Sequence, residues 1–224
     1  MDIKLIEKLN EIGIALSRER DIDRLLERIL RGAKDITNAE AGTLYSLTED
    51  ITLRFDIVLN DGLNLAVRGS THHQATLAPI PLYDITGRPN TSLVVVYAVQ
   101  HQTTVNIPDA YQPSEDFNFS GTRRIDQIFG YRSKSFLTVP LMDSENRVIG
   151  VFQLINARGP KSTGIVPFSH EQQRLVESLA SQAAVALTRY RLAQDTLLGN
   201  EPVSIRGEAH EEASLFSASK HAAR

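Results

Sequence analysis

The first apolar residues of the chain recur with the spacing of two amphipathic helices. One helix is predicted from about residue 2 to residue 18, and a second from about residue 22 to residue 37. Asp21 is a favourable N-cap for the second helix, and Asn38 suits a left-handed C-cap at its end. The apolar stripe of the first helix consists of Leu5, Leu9, Ile12 and Leu16. The chain therefore opens with two helices that each present one apolar face.

Beyond residue 38 the apolar pattern changes to alternation, which is typical of β-strands. Residues 42–47 and 53–60 alternate, and the polar residues 48–50 between them suit a turn. We expect an antiparallel hairpin with one buried face. On the second strand that face consists of Leu53, Phe55, Ile57 and Leu59.

A second hairpin is predicted from residues 136–141 and 148–155, which flank a short polar turn. Its second strand is apolar at both the odd and the even positions, as in a central strand whose two faces are both covered. Ser169 and Gln172 then form a capping-box signature that opens the longest helix. That helix is predicted to continue to about residue 198, which makes it roughly 45 Å long.

The segments between the hairpins are less regular. Residues 63–92 contain several prolines and glycines that disfavour helix, although a short strand near residues 80–83 fits the pattern. Residues 93–99 have the local propensity of a strand. A helix is predicted at residues 123–129, where Gly130 ends it.

Composition narrows the chemistry. The 224 residues carry 24 Lys and Arg against 27 Asp and Glu, so the net charge of −3 offers no basic field for a nucleic-acid partner. Cys is absent, which excludes disulfides, thiol nucleophiles, Cys-ligated metals and thioether-linked chromophores. The longest strongly apolar run, residues 93–99, is far shorter than the roughly 20 residues of a membrane span. We expect a cytoplasmic protein with no membrane partner.

We expect neither a metal site nor catalytic residues. His170 and Glu171 begin like a zinc-protease helix, but Arg174 stands where the second His is needed. His72 and His73 are adjacent, and no acidic cluster lies near them in the sequence, which is typical of a solvated loop. The sequence therefore favours a protein that is not an enzyme.

Three stretches, in the correct order, carry a resemblance to a known family. They are Ala41–Tyr45, Thr104–Tyr111 and the hairpin from Leu137 to Asn156. Over about residues 20–195 the chain resembles the GAF domain, a small-molecule sensing module of signalling proteins. The resemblance implies an α+β fold in α/β/α layers around an antiparallel sheet of about six strands. The N- and C-terminal helices would lie on one face, and the pocket helices and loops on the other.

The resemblance also bears on domain organisation and assembly. It implies a helix capped by Ser92 at residues 91–101, against their local propensity, because propensity is weak beside tertiary context. The expected divisions are a dimerisation helix at residues 1–19, a GAF domain at 20–198 and a flexible tail at 199–224. GAF domains place their first and last helices on one face, so we expect a homodimer whose helical bundle passes the signal to an output domain or partner protein.

Candidate ligand-binding residues lie in or near the segments that resemble the pocket. They are Asp109, Phe117, Arg123, Arg124, Phe136 and Thr138. Arg can hold a phosphate or carboxylate in a planar, bidentate way, and aromatic rings can stack on a ring ligand. Two other interpretations stay open: the charged residues could form a surface ion-pair network, and the aromatic residues could close the domain's own core.

A signature of cyclic-nucleotide-binding GAF domains is partly present as Asn156, Phe168 and Glu171. In that family the signature supports the site and does not touch the nucleotide, and here Ala157 replaces its Lys. A cyclic nucleotide therefore stays a candidate ligand of a sensory, non-catalytic domain. The alternative is a ligand-free GAF domain that serves as a dimerisation or protein-interaction module. The methionine-sulfoxide reductase chemistry known on this fold requires Cys, which is absent.

Overall fold

A computed structural model describes residue 7 and residues 10–14, 18–68, 77–115, 117–159 and 164–197 of the protein. Four helices and eight strands have assigned bounds within these residues. In chain order they are α1 (Ile22–Thr37), β1 (Ala39–Leu47), β2 (Thr52–Asn60), β3 (Leu65–Arg68), β4 (Ile80–Pro81), α2 (Val94–His101), β5 (Val105–Ile107), α3 (Ser120–Phe129), β6 (Phe136–Met142), β7 (Val148–Arg158), β8 (Ile165–Val166) and α4 (His170–Leu197).

The strands form one antiparallel sheet in the order β3-β2-β1-β7-β6-β5, with β4 paired to β2 and β8 paired to β7. Strand β7 lies between β1 and β6. Its residues Val151, Phe152 and Leu154 are fully buried although they point to both faces. Both predicted hairpins and the central position of the second strand of the later hairpin are therefore confirmed.

Helices α1 and α4 cover one face of the sheet, which we call the helix face. Its core includes Ile29 and Leu30 of α1, Leu179 and Ala183 of α4, and Leu44, Phe152 and Leu154 of the sheet. On the opposite face, the cavity face, Val95 and Val96 of α2 pack with Tyr45 and Val151. The layered α+β fold implied by the resemblance is confirmed.

The prediction that β2 has a single buried face is wrong. Leu44 pairs with Ile57, but Tyr45 pairs with Phe55, so Asp56 is an extra residue that forms a β-bulge. A bulge shifts the alternation by one position. Ile57 and Leu59 therefore pack on the helix face, whereas Leu53 and Phe55 pack on the cavity face. Because of the bulge, the first half of β2 contributes its apolar side chains to the cavity face and the second half contributes them to the helix face.

The segment with β propensity at residues 93–99 is helical, as the resemblance implied. Helix α2 begins at Val94, and its N-cap Leu93 has no side-chain capping bond. Ser92 is not the cap, because its hydroxyl donates to Asn90 Oδ1 at 3.0 Å. Helix α3 begins three residues before the predicted start and ends at Gly130, whose φ of 62° is left-handed. Local β propensity thus gives way to packing against the sheet.

The caps of the long helices agree with the sequence. Asp21 Oδ1 accepts from the backbone N–H groups of Asp23 and Arg24, and Asn38 adopts the left-handed conformation with a φ of 51°. Ser169 N–H donates to Gln172 Oε1 at 2.8 Å, and Gln172 N–H donates to Ser169 Oγ at 3.2 Å. This reciprocal capping box starts the 28 residues of α4.

The predicted first helix is described only in part: Glu7, residues 10–14 and Arg18 are helical. Ile12 is 5% exposed and belongs to the core of the helix face. It lies so close to Gly32 that a Cβ there would collide with its side chain. Leu5, Leu9 and Leu16 of the predicted stripe, and the predicted tail at residues 199–224, fall outside the described residues. In the part of the chain that the structure describes, no helix has the length and apolar character to cross a membrane.

Candidate ligand-binding cavity

A cavity of about 320 Å³ lies on the cavity face, between the sheet and helices α2 and α3. The apolar side chains around it include Phe55, Leu93, Val95, Ile125, Phe129 and Phe136, and the polar ones are Thr43, Tyr45, Asn60, Thr122, Asp126, Tyr131, Ser133 and Gln153. Helix α3 can reach this position because Gly121 has no side chain: a Cβ there would lie 2.8 Å from the carbonyl oxygen of Ser92. The start of α3 thereby packs directly against the segment that leads into α2.

A polar row crosses the floor of the cavity. Thr43 of β1 is paired with Gln153 of β7, which is paired in turn with Thr138 of β6. Gln153 is 5% exposed; its Nε2 donates to Thr138 Oγ1 at 3.0 Å, and its Oε1 accepts from Tyr45 Oη at 3.3 Å. Burial raises the pKa of Tyr45, so its hydroxyl stays protonated and remains a donor. Two neighbours therefore determine which way the Gln153 amide points.

The wall formed by α3 contains a buried carboxylate. Asp126 is 3% exposed, and it accepts from Tyr111 Oη at 2.7 Å, from the backbone N–H of Ser133 at 2.8 Å and from Ser133 Oγ at 2.7 Å. Burial and the hydrogen bond to Asp126 raise the pKa of Tyr111. The Arg132 guanidinium lies 4.3 Å from the centre of the Tyr111 ring. This network joins α3 to the residues that follow it.

Residues 131–135 form a second part of the wall, and Asn156 holds them in place. Asn156 is 1% exposed and has a left-handed φ of 61° within β7. Its Oδ1 accepts from the N–H groups of Lys134 at 2.7 Å and Ser135 at 3.3 Å, and its Nδ2 donates to the carbonyl of Arg132 at 2.8 Å. One side chain thus satisfies three backbone groups of a segment that contains Tyr131 and Ser133, which line the cavity.

Glu40 adds a charge to this support. It accepts from Tyr131 Oη at 2.8 Å, from Asn156 Nδ2 at 2.9 Å and from the guanidinium of Arg158. Burial raises the pKa of Glu40, but the hydrogen bonds from Asn156, Tyr131 and Arg158 outweigh it, and the net pKa lies below its ordinary value. The family signature has Lys at the position of Ala157. In this chain the next residue, Arg158, supplies a charge-assisted hydrogen bond to Glu40 instead.

Of the predicted ligand-binding residues, the structure brings one to the cavity wall. Phe136 lines the cavity, and Thr138 lies beneath it as the partner of Gln153. Four others are not among the lining residues: Asp109, Phe117, Arg123 and Arg124. Since Thr122 and Asp126 face inward on α3, the intervening positions 123 and 124 turn toward solvent.

Those four residues have other contacts or are exposed. Asp109 accepts from the N–H of Tyr111 at 2.9 Å and lies 3.4 Å from Lys134 Nζ. Phe117 packs between Tyr97 and Phe119 with ring-centre distances of 4.5 and 5.7 Å. Arg123 Nη2 donates to the carbonyl of Ala110 at 3.2 Å, and Arg124 is exposed. Of the two interpretations left open above, closure of the core describes Phe117 and surface pairing describes Asp109, whereas Arg123 bonds a backbone carbonyl and Arg124 is exposed.

The three residues of the signature occupy different places. Asn156 supports the cavity wall, as described above. Phe168 is 4% exposed in the core of the helix face, where Ala157 is also buried, and Glu171 is exposed in the first turn of α4. None of the three is among the lining residues of the cavity.

Sequence reasoning missed the polar floor. The alternation of apolar residues indicates only that Thr43, Tyr45 and Asn60 lie on strands and that Gln153 lies on a central strand. A signal was present, because Gln153 is the polar residue in the otherwise apolar run 148–155. In the described part of the chain, no group of three or more His, Cys, Asp or Glu side chains could hold a metal ion.

Comparison with known proteins adds the family context. The family model for the GAF domain matches residues 21–187. The dual 3′,5′-cyclic-AMP and -GMP phosphodiesterase 11A of Takifugu rubripes is 34% identical over 99 residues, which cover 44% of this chain and 10% of that protein. The cGMP-specific 3′,5′-cyclic phosphodiesterase of Drosophila melanogaster is 23% identical over 198 residues, which cover 86% of this chain and 16% of that protein. The chain therefore spans a small part of either phosphodiesterase.

A solved structure with a similar fold is the GAF domain of a phosphoenolpyruvate-protein phosphotransferase from Acinetobacter. It has a TM-score of 0.58 and 16% sequence identity, and the match covers 90% of this chain and all of that one. At this identity the likeness concerns the fold alone.

Proposed function

Because this chain belongs to the GAF domain family, we propose that it is a sensory or regulatory domain that binds a small ligand in the cavity and catalyses no reaction. The observation that carries the proposal is the cavity itself. At about 320 Å³ it lies at the lower end of the range of small-molecule pockets, and it combines apolar walls with a few oriented polar groups, as such pockets do.

A cyclic nucleotide is the first ligand to test. The names of the two phosphodiesterase relatives refer to cyclic nucleotides, and the matched regions cover 10% and 16% of those proteins. The amide of Gln153 and the hydroxyl of Thr43 offer donors and acceptors for the edge of a base, and the apolar walls can accept its ring. Asn156, Glu40 and Arg158 support the wall, which is the part that the signature plays in cyclic-nucleotide-binding relatives.

The test is thermal unfolding of the whole chain with cyclic AMP, cyclic GMP and a panel of small organic acids. A ligand at 100 times its dissociation constant stabilises the folded state by about 2.7 kcal/mol. Val58→Phe, which adds volume at the cavity wall, should abolish the shift, whereas Arg124→Ala should retain it. If no compound raises the midpoint, the ligand-binding proposal is overturned and the ligand-free module takes its place.

The proposal includes signal output through a homodimer to another domain or a partner protein. The supporting observation is a groove between the start of α1 and the last turns of α4, lined by Ile22, Leu25, Val185 and Ala186 among others. Val185 and Leu192 of α4 are 51% and 61% exposed. A second copy placed along this groove would cover these side chains in a two-fold interface. The same groove favours the second candidate function, a ligand-free dimerisation module.

Sedimentation equilibrium of the whole chain at tens of micromolar tests the dimer. We expect a dimer for the natural sequence and a monomer for Val185→Asp, because the charge would be buried in the interface. Ser178→Asp is the matched control and should stay dimeric, since it introduces the same charge at an exposed position of α4 that does not line the groove. A natural sequence that sediments as a monomer, or a Val185→Asp variant that remains dimeric, would overturn this part of the proposal.

A further inference from the structure

The charges around the cavity are unusual for a site that would hold an anion. Among the described residues that line it, there is no Lys, Arg or His. The basic side chains of the nearby wall are engaged elsewhere. Lys134 is paired with Asp109 at 3.4 Å, Arg123 donates to the Ala110 carbonyl, and Arg132 stacks on Tyr111. An anionic group inside the cavity would therefore lack a cationic side chain among these residues.

The carboxylate in the wall does not change this conclusion. All three hydrogen bonds of Asp126 are made within the protein, to Tyr111 and to Ser133. Its oxygens are acceptors only, so Asp126 also cannot donate to a phosphate or carboxylate. The remaining polar groups of the lining are uncharged amides and hydroxyls, which suit an uncharged partner.

The polar floor points to the kind of uncharged group. Gln153 donates one Nε2 hydrogen to Thr138 and accepts with one Oε1 lone pair from Tyr45. An amide has a second hydrogen and a second lone pair, so the fixed side chain retains the capacity for one more donated and one more accepted hydrogen bond. This pair matches the donor–acceptor edge of a nucleobase or another planar lactam or amidine. Thr43, the cross-strand neighbour of Gln153, adds a hydroxyl at the same place.

We infer that the cavity recognises an uncharged planar heterocycle by its hydrogen-bonding edge, with Gln153 as the residue that determines specificity. The inference rests on the proposed ligand-binding function and narrows its ligand class. If the ligand is a cyclic nucleotide, the base carries the affinity and the cyclic phosphate adds little. The uncharged nucleoside then binds about as tightly as the cyclic nucleotide that contains the same base.

The test is titration calorimetry of the whole chain with two matched pairs: cyclic GMP with guanosine, and cyclic AMP with adenosine. For the base that binds, we expect dissociation constants within about threefold of each other. Since a neutral contact is not screened by ions, nucleoside affinity should change less than about twofold between about 50 and 500 mM salt. A cyclic nucleotide that binds more than about tenfold tighter than its nucleoside would overturn the inference.

The ligand-binding function and the inference of an uncharged heterocycle are overturned by different outcomes. Tight binding of a cyclic nucleotide alone overturns the inference and leaves the ligand-binding function standing; the phosphate would then be held by backbone groups, such as the uncapped first turn of α2. Binding by none of the four compounds overturns both. Binding of a nucleoside and its cyclic nucleotide with similar affinity supports both.

Variants of the floor sharpen the test. Gln153→Leu should weaken both members of the binding pair by the same factor, about tenfold or more, because it removes the edge contact common to both. Thr138→Val, which removes the acceptor that orients Gln153, should weaken them less, and Thr138→Ser is its matched control with the hydroxyl retained. If Gln153→Leu does not fold, Gln153→Met replaces it. Unchanged nucleoside affinity in a folded Gln153 variant would overturn the role of this residue.

Discussion

Adjacent residues of strand β7 serve two different regions of the molecule. Phe152 and Leu154 point to the helix face, where both are fully buried under two capped helices of 16 and 28 residues. Gln153 and Ile155 line the cavity under helices of 8 and 10 residues that have no side-chain caps. One face is closed by apolar packing, whereas the other leaves a space and surrounds it with paired polar groups.

This difference shows how a small domain can separate its stabilising core from a face that is available for the proposed ligand binding. Alternation along a strand sends neighbouring side chains to opposite faces, so the two tasks need not compete for the same positions. The cavity face has polar side chains whose buried atoms have hydrogen-bond partners in the described part of the chain. The helix face is held by dense apolar contact, whereas the cavity face combines apolar packing of α2 on the sheet with hydrogen bonds between polar side chains.

The strongest challenge to this contrast is to remove one large side chain from each face. Phe152→Ala should lower the free energy of unfolding by about 3–5 kcal/mol, because it leaves a void in a fully packed core. Phe129→Ala, at the cavity mouth where the side chain is 51% exposed, should lower it by less than about 1 kcal/mol. Urea unfolding of both variants measures the difference. Equal losses would mean that the two faces do not differ in packing.

The second test concerns the hydrogen bonds of the cavity face. Asp126→Ala leaves Tyr111 Oη and both groups of Ser133 without their acceptor. The expected loss is about 2–4 kcal/mol in the free energy of unfolding, because buried groups remain unpaired. Tyr111→Phe removes only one of the three donors and should cost about 1 kcal/mol. Similar losses for the two variants in urea unfolding would contradict a network centred on Asp126.

The third test uses the pH dependence of Glu40. Its pKa in the folded state lies below the ordinary value of 4.5, so its contribution is complete above that value and is lost as the pH falls through the lowered pKa. Glu40→Gln should lower the free energy of unfolding by about 1–2 kcal/mol near neutral pH, since it weakens charge-assisted hydrogen bonds.

Urea unfolding at a series of pH values compares the natural sequence with this variant. The difference between them should shrink as the pH is lowered below about 4. A difference that is constant with pH would show that the Glu40 charge is not the stabilising feature. Glu49→Gln, the same substitution at an exposed position in the turn between β1 and β2, is the matched control for general charge effects.

The smallest expected effect lies on the helix face. Ser169→Ala removes half of the capping box of α4 and should cost about 1 kcal/mol, visible as a lower Tm. Ser178→Ala, at an exposed position of the same helix that does not line the groove, should cost nothing or stabilise slightly, because Ala has the higher helix propensity. Ligand affinity should be unchanged in both variants. A loss of affinity in Ser169→Ala would show that ligand binding on the cavity face depends on the helix face, which would contradict the separation of the two faces.

Structural features that depend on residues close together in the chain could be predicted from the sequence. The caps at Asp21 and Asn38 and the capping box at Ser169 are agreements of this kind, because a cap is a bond between a side chain and a backbone group a few residues away. The two hairpins and the central strand also agree, since alternation reports local exposure. The helix at α2 needed more than local propensity, and the family resemblance supplied it.

The site depended on contacts that no local pattern contains. The Asp56 bulge moved Phe55 to the cavity face, and the packing of α3 turned Thr122 and Asp126 inward and left Arg123 and Arg124 facing away from the cavity. A shift of one residue in a strand, or of a fraction of a turn in a helix, exchanges the inward and outward positions. A helix or strand can therefore be predicted correctly while the direction of its side chains is predicted wrongly. Candidate site residues that are chosen by chemical type alone are exposed to this error.

By itself the sequence determined the two hairpins, the helices α1, α3 and α4 and the absence of thiol chemistry, because these follow from periodicity, capping and composition. It did not indicate the short strands β3, β5 and β8. Only the tertiary structure decided which polar residues meet. Tyr45 and Gln153, which are 108 positions apart in the chain, share a hydrogen bond on the cavity floor, and Asn156 reaches Glu40 from 116 positions away. Such pairs form because strand register and sheet order bring distant segments together. The energy that selects a register is distributed over the whole sheet, so no short stretch of sequence reveals it.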